Sequence, residues 1–289
     1  MLVINTIHDT RNQIKKWKQS GYTVGFVPTM GFLHEGHRSL IEHSVAENDK
    51  TVVSIFVNPI QFGPGEDLEK YPCDFEADRA MCREVGADLI FFPEVEEMYP
   101  EGFYTYVDMK SLTAGLCGKS RPVHFRGVCT VVNKLFNITM PDRAYFGQKD
   151  AQQLAVIKQM VRDLSMDLEV IGCPIVREPD GLAKSSRNSY LSPEERKGAQ
   201  VVSRAIFEGE RLVKSGETCV KKVTQVMKEI VRREPLAKID YIEIVDSGNL
   251  SEIDEIKGPV LGAVAVYIGK TRLIDNFMCQ NLLSNPGGD

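Results

Sequence analysis

The chain has 289 residues, of which 43% are hydrophobic and 26% charged, an ordinary globular profile with ample length for a buried core. A formal net charge of −5 argues against broad nucleic-acid binding, which needs a basic face. No apolar run reaches the length of a membrane span, so no membrane partner is expected.

Met1 to Thr10 lacks a signal-peptide plan, which makes a cytoplasmic location the default expectation. Asp9, Thr10 and the run Asn12 to Gln19 predict a first helix anchored by Ile14 and Trp17. Val24 to Val27 is a short apolar run bounded by Gly21 and Pro28, the mark of a buried strand. Gly31 and Gly36 follow, and then a helical pattern with Leu40, Ile41 and Val45 on one face. A strand, a glycine-containing turn and a helix start bring free N–H groups and a positive dipole end to one spot, which is an anion site. His34 and His37 are three apart and share a face of the first turn, while Glu35 faces away. Two imidazoles there suit a polyphosphate whose charge grows in a transition state. A metal site and a structural role are the alternatives, although no nearby Cys or acidic cluster completes a ligand set.

Thr51 to Val57 reads as a central parallel strand buried on both faces. It ends in Asn58-Pro-Ile-Gln61, where a polar substrate is met beyond the carboxyl end of a strand. Plain loop chemistry explains Asn-Pro equally well. Asp74 to Val85 predicts a helix closed by Gly86, and Asp88 to Phe92 another strand. Ser120 to Gly127 is a polar loop carrying Arg121, His124 and Arg126, either facing an anion or solvated, ahead of a helix from Val128 to Thr139. Ala144 to Phe146 is a short strand that leads through Gly147, Gln148, Lys149 and Asp150 into a helix with Leu154, Ile157, Val161 and Leu164. Leu168 to Cys173 closes the alternating series, which predicts an α/β fold with a doubly wound parallel, Rossmann-like sheet over residues 1–178.

The texture then changes through a turn-rich segment from Val176 to Ala183. Ser192 and Pro193 look like a helix cap, and helices are expected over Pro193 to Val213 and Glu217 to Arg233. Strands near Ile239 to Val245, Gly262 to Tyr267 and Thr271 to Phe277 complete a smaller α+β domain over 179–283, with 284–289 as a disordered tail. Seven scattered cysteines, odd in number and without Cys-x-x-Cys spacing, predict reduced thiols. Neither a Gly-x-x-x-x-Gly-Lys-Ser/Thr loop nor a Gly-x-Gly-x-x-Gly fingerprint is present. Lys184, Ser185, Ser186 and Arg187 place a cation at each end of two hydroxyls beside a glycine-containing turn, a second set of phosphate donors in type.

His34-Glu-Gly-His37 resembles the His-x-Gly-His signature of the nucleotidyltransferase superfamily, and Lys184 to Arg187 resembles its mobile Lys-Met-Ser-Lys-Ser loop. The segments Val27 to His37, Phe56 to Phe62, Tyr145 to Asp150, Gln152 to Leu154, Ser185 to Asn188 and Arg272 to Asn276 together resemble, in order, the blocks of the pantothenate synthetase (pantoate–β-alanine ligase) family. The resemblance implies ATP-dependent joining of pantoate to β-alanine through a pantoyl adenylate, with Mg²⁺ and a homodimer formed through the N-terminal domain. It implies ATP contacts from Met30, Gly31, Phe32, Leu33, His34, Glu35, Gly36 and His37, and from Gly147, Gln148, Lys149 and Asp150. Asp150 would meet the ribose, Lys149 the phosphates, and the Val176 backbone the adenine. Lys184, Ser185, Ser186 and Arg187 would close over the phosphates. His37, with a proton-donor role, His34, Lys149 and Arg187 form the implied catalytic set. Gln61 and Gln153 would hold pantoate, with Asn58 in the same substrate-binding group and Gln61 near β-alanine. No protein ligand for Mg²⁺ is implied, Asp78 being only a guess. Lys184 stands where many relatives carry Met or Leu, and Cys73 and Val123 stand where Arg and Gly are expected.

Overall fold

The apolar run that ends at Pro28 forms a strand, and that strand lies inside a six-stranded sheet. The computed structural model describes residues 1–280; the tail expected to be disordered lies outside them. The chain divides into two units, one of Met1–Lys110 with Arg121–Val176, the other of Ser111–Ser120 with the chain from Arg177 on.

The first unit holds β1 (Leu2–Ile4), α1 (Ile7–Gln19), β2 (Val24–Thr29), α2 (Glu35–Glu47), β3 (Lys50–Ile55), α3 (Phe75–Val85), β4 (Leu89–Phe91) and α4 (Val95–Met98). A short α5 (Leu116–Ser120) belongs to the second unit, and α6 (His124–Thr139), β5 (Arg143–Gly147), α7 (Ala151–Asp163) and β6 (Glu169–Cys173) complete the first. The strand order is β1-β4-β3-β2-β5-β6, and every pairing is parallel. From β2 the chain moves outward through β3 and β4, and from β5 it moves the other way to β6. Strand order therefore reverses between β2 and β5, the place where open α/β sheets bind ligands beyond their carboxyl ends.

Both faces of the sheet are buried. Val27, Val53, Ile90 and Tyr145 pack with Leu40 and Ile41 of α2 and Cys82 of α3. On another strand position, Phe26 meets Phe136 of α6 edge-on, with ring centroids 6.3 Å apart. Each such side chain contributes about 1.5–3 kcal/mol on burial, and near-continuous apolar strands are the consequence in sequence.

Several boundaries differ from the sequence expectation. β1 is an additional strand, three residues long and mostly exposed. α1 begins earlier, at Ile7, because Thr6 caps it by accepting the Asp9 N–H at 3.2 Å. On α2, Ser44 takes the buried position and Val45 is exposed. α6 begins at His124, so half of the expected polar loop is helix.

In the second unit, α8 (Pro193–Gly198) opens with a capping box between Ser192 and Glu195, and α9 (Gln200–Lys214) follows after a break at Ala199 where one helix was expected. With α10 (Val220–Arg232) they cover an antiparallel sheet of β7 (Ala237–Asp246), β8 (Val260–Ile268) and β9 (Thr271–Cys279). Val202, Ile206, Val223, Met227, Val264 and Phe277 lie in its core. The expected cut near 178 misses that Ser111–Ser120 joins this unit. Ser120 Oγ donates to Asp240 at 3.0 Å, and the Cys117 sulfur lies 3.1 Å from the Tyr241 hydroxyl. All seven cysteines are free thiols. No described helix is long and apolar enough to cross a membrane.

Candidate active site

The site is built from the end of β2 upward. Thr29 Oγ1 donates to the Ser54 carbonyl at 2.8 Å and accepts the Gly31 N–H at 3.2 Å, tying the turn to β3. Gly31 and Phe32 then adopt left-handed backbone, with φ of +87° and +53°. A Cβ on Gly31 would stand 3.1 Å from both Asp78 Oδ2 and Ile55 Cγ2, so glycine serves there for conformation and space together. Asp78, at 2% exposure, accepts the Phe32 N–H at 2.8 Å and the Leu33 N–H at 2.6 Å. Burial pushes its carboxyl pKa up, and the two N–H groups work against that shift. Both oxygens face the turn. Asp78 is thus a backbone clamp, and the guess that it ligates a metal is corrected.

That clamp fixes the entry to α2. His34 is the N-cap residue, and its Nδ1 accepts the Gly36 N–H at 3.1 Å. His37 Nδ1 accepts the His34 N–H at 3.3 Å, and the ring centroids are 4.1 Å apart. A ring nitrogen that accepts an N–H carries a lone pair, so the proton of each neutral imidazole sits on Nε2. Burial, then the Lys149 ammonium, lower the His37 pKa to about 4, with Asp150 acting the other way. Near neutral pH the His37 ring is therefore uncharged. With Nδ1 accepting, its Nε2 is the ring nitrogen that carries the N–H. Glu35 is exposed, as its place on the turn predicts.

Lys149 and Asp150 come from the turn after β5, directly ahead of α7, and their influence on His37 brings the two strand ends together. Gly147, Gln148 and Lys149 are half-buried and Asp150 is exposed. Gln153 is half-buried in the first turn of α7, and Val176 is half-buried at the end of the first unit.

Beyond β3, Gln61 is 7% exposed and its Nε2 lies 3.0 Å from the Met30 sulfur. Asn58 is 1% exposed, and its amide nitrogen donates to Gln61 Oε1 at 2.9 Å and to the Gly127 carbonyl at 3.2 Å. Its oxygen accepts the Tyr99 hydroxyl at 2.8 Å. Asn58 therefore ties the Gln61 side chain to Gly127 and Tyr99. Gly127 allows the contact: a Cβ there would sit 2.4 Å from Gln61 Cα and from the Ile60 oxygen. His124 Nδ1 donates to the Gln61 carbonyl at 3.1 Å, and burial first, then Arg121, lower its pKa to about 4. Arg121 itself grips Glu66 at 2.8 and 2.5 Å, and Arg126 lies over the Tyr106 ring at 4.0 Å. Of the alternatives for this segment, internal partners hold both arginines and His124.

In the second unit, Arg177 pairs with Asp275 at 2.7 and 3.0 Å and pins a short loop whose ends meet at Arg177 and Ala183. Lys184 pairs with Glu178 at 3.0 Å, so its charge has a partner within the loop. Ser185 Oγ accepts the Arg187 N–H at 3.3 Å, Ser186 is buried, and Arg187 is half-buried.

A family model described as pantoate–β-alanine ligase matches residues 2–278. The chain belongs to the pantoate–β-alanine ligase family. It is 62% identical over 277 residues to the pantothenate synthetase of Ruminiclostridium cellulolyticum, spanning 96% of this chain and 98% of that one. It is 57% identical to the Enterococcus faecalis pantothenate synthetase over 96% of this chain and 98% of the relative. The crystal structure of the Thermus thermophilus pantothenate synthetase superposes with a TM-score of 0.91 at 47% identity, covering 96% of this chain and 99% of that one. The Francisella tularensis pantoate–β-alanine ligase, solved with β-γ ATP and β-alanine, superposes with a TM-score of 0.79 at 36% identity over 96% of this chain and 97% of that one. The reaction of this ligase is the ATP-dependent condensation of pantoate with β-alanine.

Among the described residues of the ligase no group of three His, Cys, Asp or Glu side chains converges as a metal site. Mg²⁺ arriving with a triphosphate fits such a surface only if phosphate oxygens and water supply most of its shell. Four residues that shape the site, Asp78, Tyr99, His124 and Gly127, do not show these roles in the sequence. Their signals are contacts across 45, 41, 63 and 69 positions, which local pattern does not carry.

Proposed function

We propose that the ligase joins its substrates in two displacements at this cluster. The pantoate carboxylate attacks the α-phosphorus of ATP, the P–O bond to the β-phosphate breaks, and pyrophosphate leaves. The amine of β-alanine then attacks the acyl carbon of the pantoyl adenylate. AMP leaves with the acyl C–O electrons, and the amine gives up a proton. No covalent enzyme intermediate is required. Alignment of two anions and stabilisation of charge at phosphorus are what the protein supplies.

Met30 to His37, Gly147 to Asp150 and Val176 form the ATP site in this reading, and family resemblance gives Lys184 to Arg187 of the second unit a phosphate-binding role. Gln61 and Gln153 hold pantoate. The observation that carries the reading is the pair of imidazoles whose Nδ1 atoms are tied to backbone N–H groups at the start of α2. Their protons are fixed on Nε2, so they meet phosphate as neutral donors and need no ionisation step. Lys149, Arg187 and a Mg²⁺ held by the phosphates supply the positive charge. Family resemblance further supports a cytoplasmic homodimer, to be checked by sedimentation.

Pyrophosphate release from ATP and pantoate, measured with and without β-alanine, tests the route. One equivalent released with pantoate alone, and sustained AMP formation only with β-alanine, is the expected result. Pyrophosphate release that needs neither pantoate nor β-alanine overturns it.

A further inference from the structure

We propose that the Gly127 carbonyl, acting through an Asn58 side chain held in place by Tyr99, sets the polarity of the Gln61 side-chain amide, so that Gln61 offers an N–H to the pantoate carboxylate. This rests on the reading that Gln61 faces pantoate. Tyr99 is a positioning residue; it touches Gln61 only through Asn58.

The polarity follows from one group that cannot be reversed. A backbone carbonyl only accepts, and the Gly127 oxygen lies 3.2 Å from one end of the Asn58 amide. That end is the NH₂. The other end is the oxygen, and it faces the Tyr99 hydroxyl at 2.8 Å, which must donate. The second hydrogen of the Asn58 NH₂ points at the Gln61 side chain at 2.9 Å, so the Gln61 atom there is its oxygen. What remains of Gln61 is Nε2, which has the Met30 sulfur at 3.0 Å. Thioether sulfur is a weak acceptor, and a carboxylate oxygen displaces it readily because charge-assisted hydrogen bonds are roughly twice as strong. The Gln61 backbone is held as well, through the His124 ring and the close approach of Gly127. An amide locked this way recognises an acceptor and repels an ammonium group. It therefore selects the acid substrate over the amino group of the second one.

Tyr99 can lose its hydroxyl without losing its place. Its ring stands 6.0 Å from Phe56 and 5.0 Å from Phe103, contacts that Tyr99→Phe retains. The sharper variant is Asn58→Asp. A carboxylate has no N–H for Gln61, so the Gln61 amide turns its own N–H toward it and presents oxygen to pantoate. Steady-state kinetics on the full enzyme, with thermal midpoints recorded, provide the test. Asn58→Asp should raise the KM for pantoate by roughly 30-fold, and Tyr99→Phe by about 5-fold, while the KM for ATP holds. A purely structural role would instead lower kcat and the thermal midpoint and leave the pantoate KM alone. Gln61→Ala separates the premise from the proposal. If it leaves the pantoate KM unchanged, the reading of Gln61 fails. If Gln61→Ala raises that KM and neither Asn58→Asp nor Tyr99→Phe does, the relay is overturned. Should Asn58→Asp fail to fold, Tyr99→Phe alone decides.

Discussion

The turn from Thr29 to His37 and the loop from Arg177 to Arg187 both gather polar groups, and they hold them differently. In the turn, a buried carboxylate takes the N–H groups of Phe32 and Leu33, and the two Nδ1 atoms take those of His34 and Gly36. Its geometry is set by backbone, before any ligand arrives. In the loop, ion pairs between side chains, Arg177 to Asp275 and Lys184 to Glu178, add to backbone hydrogen bonds such as that from the Glu178 N–H to the Leu182 carbonyl. Under the proposed function a phosphate competes with Glu178 for Lys184. The turn is preorganised, and preorganised donors are where electrostatic stabilisation is largest.

The contrast predicts a gradient of effects. His37→Ala should lower kcat by roughly 10²–10³-fold with the fold intact, since it removes a preorganised donor; near-normal turnover in a rapid-mixing assay would refute that role. Asp78→Ala strands two N–H groups beside buried surroundings and should cost about 2–4 kcal/mol in denaturant unfolding, with activity falling in step. On the loop, Lys184→Met should change the KM for ATP by no more than about 5-fold, because its ammonium already has a partly exposed partner. Glu178→Gln should act in the opposite direction, lowering the KM for ATP by about 2-fold as Lys184 is released. A loop variant with a larger effect than His37→Ala would reverse the comparison.

Acid stability is the mildest test. His37 and His124 have folded pKa values lowered to about 4 from an ordinary 6.5. Between those values the unfolded chain binds more protons than the folded one, so stability rises with pH and is lost as pH falls from about 6.5 toward 4. His124→Gln should flatten that limb in thermal melts recorded across this range.

Much of this was legible in the sequence because it is local. Val24 to Val27 and Thr51 to Val57 are apolar runs that only a doubly covered parallel sheet accommodates, and the His34 and His37 spacing follows from one helical turn. Asp74 and Gly86 bracket α3 as a side-chain cap and a left-handed end, as their residue types suggest. The rest depends on distant partners. β1 is short and exposed, and only its pairing with β4 makes it a strand. The start of α6 is concealed by Arg121, Pro122 and Arg126, whose polarity reads as loop until Glu66 and Tyr106 are found to receive the arginines. Asn58 looks like a ligand-facing group in sequence because nothing local discloses Tyr99 and Gly127. Lys184 reads in sequence as a phosphate donor, and nothing local discloses its pairing with Glu178.

The bare backbone of Gly127 against the loop at Ile60 and Gln61 bears on how the enzyme folds. The loop has a single 3-10 turn of its own, Pro59–Gln61, and the further groups that fix Asn58 and Gln61 come from α6 and from Tyr99. It can become native only when the helix docks on the sheet. The fixed Asn58–Gln61 pair and the hydrophobic core of the first unit should therefore appear in one cooperative event, with that pair unformed in any intermediate in which α6 is still undocked.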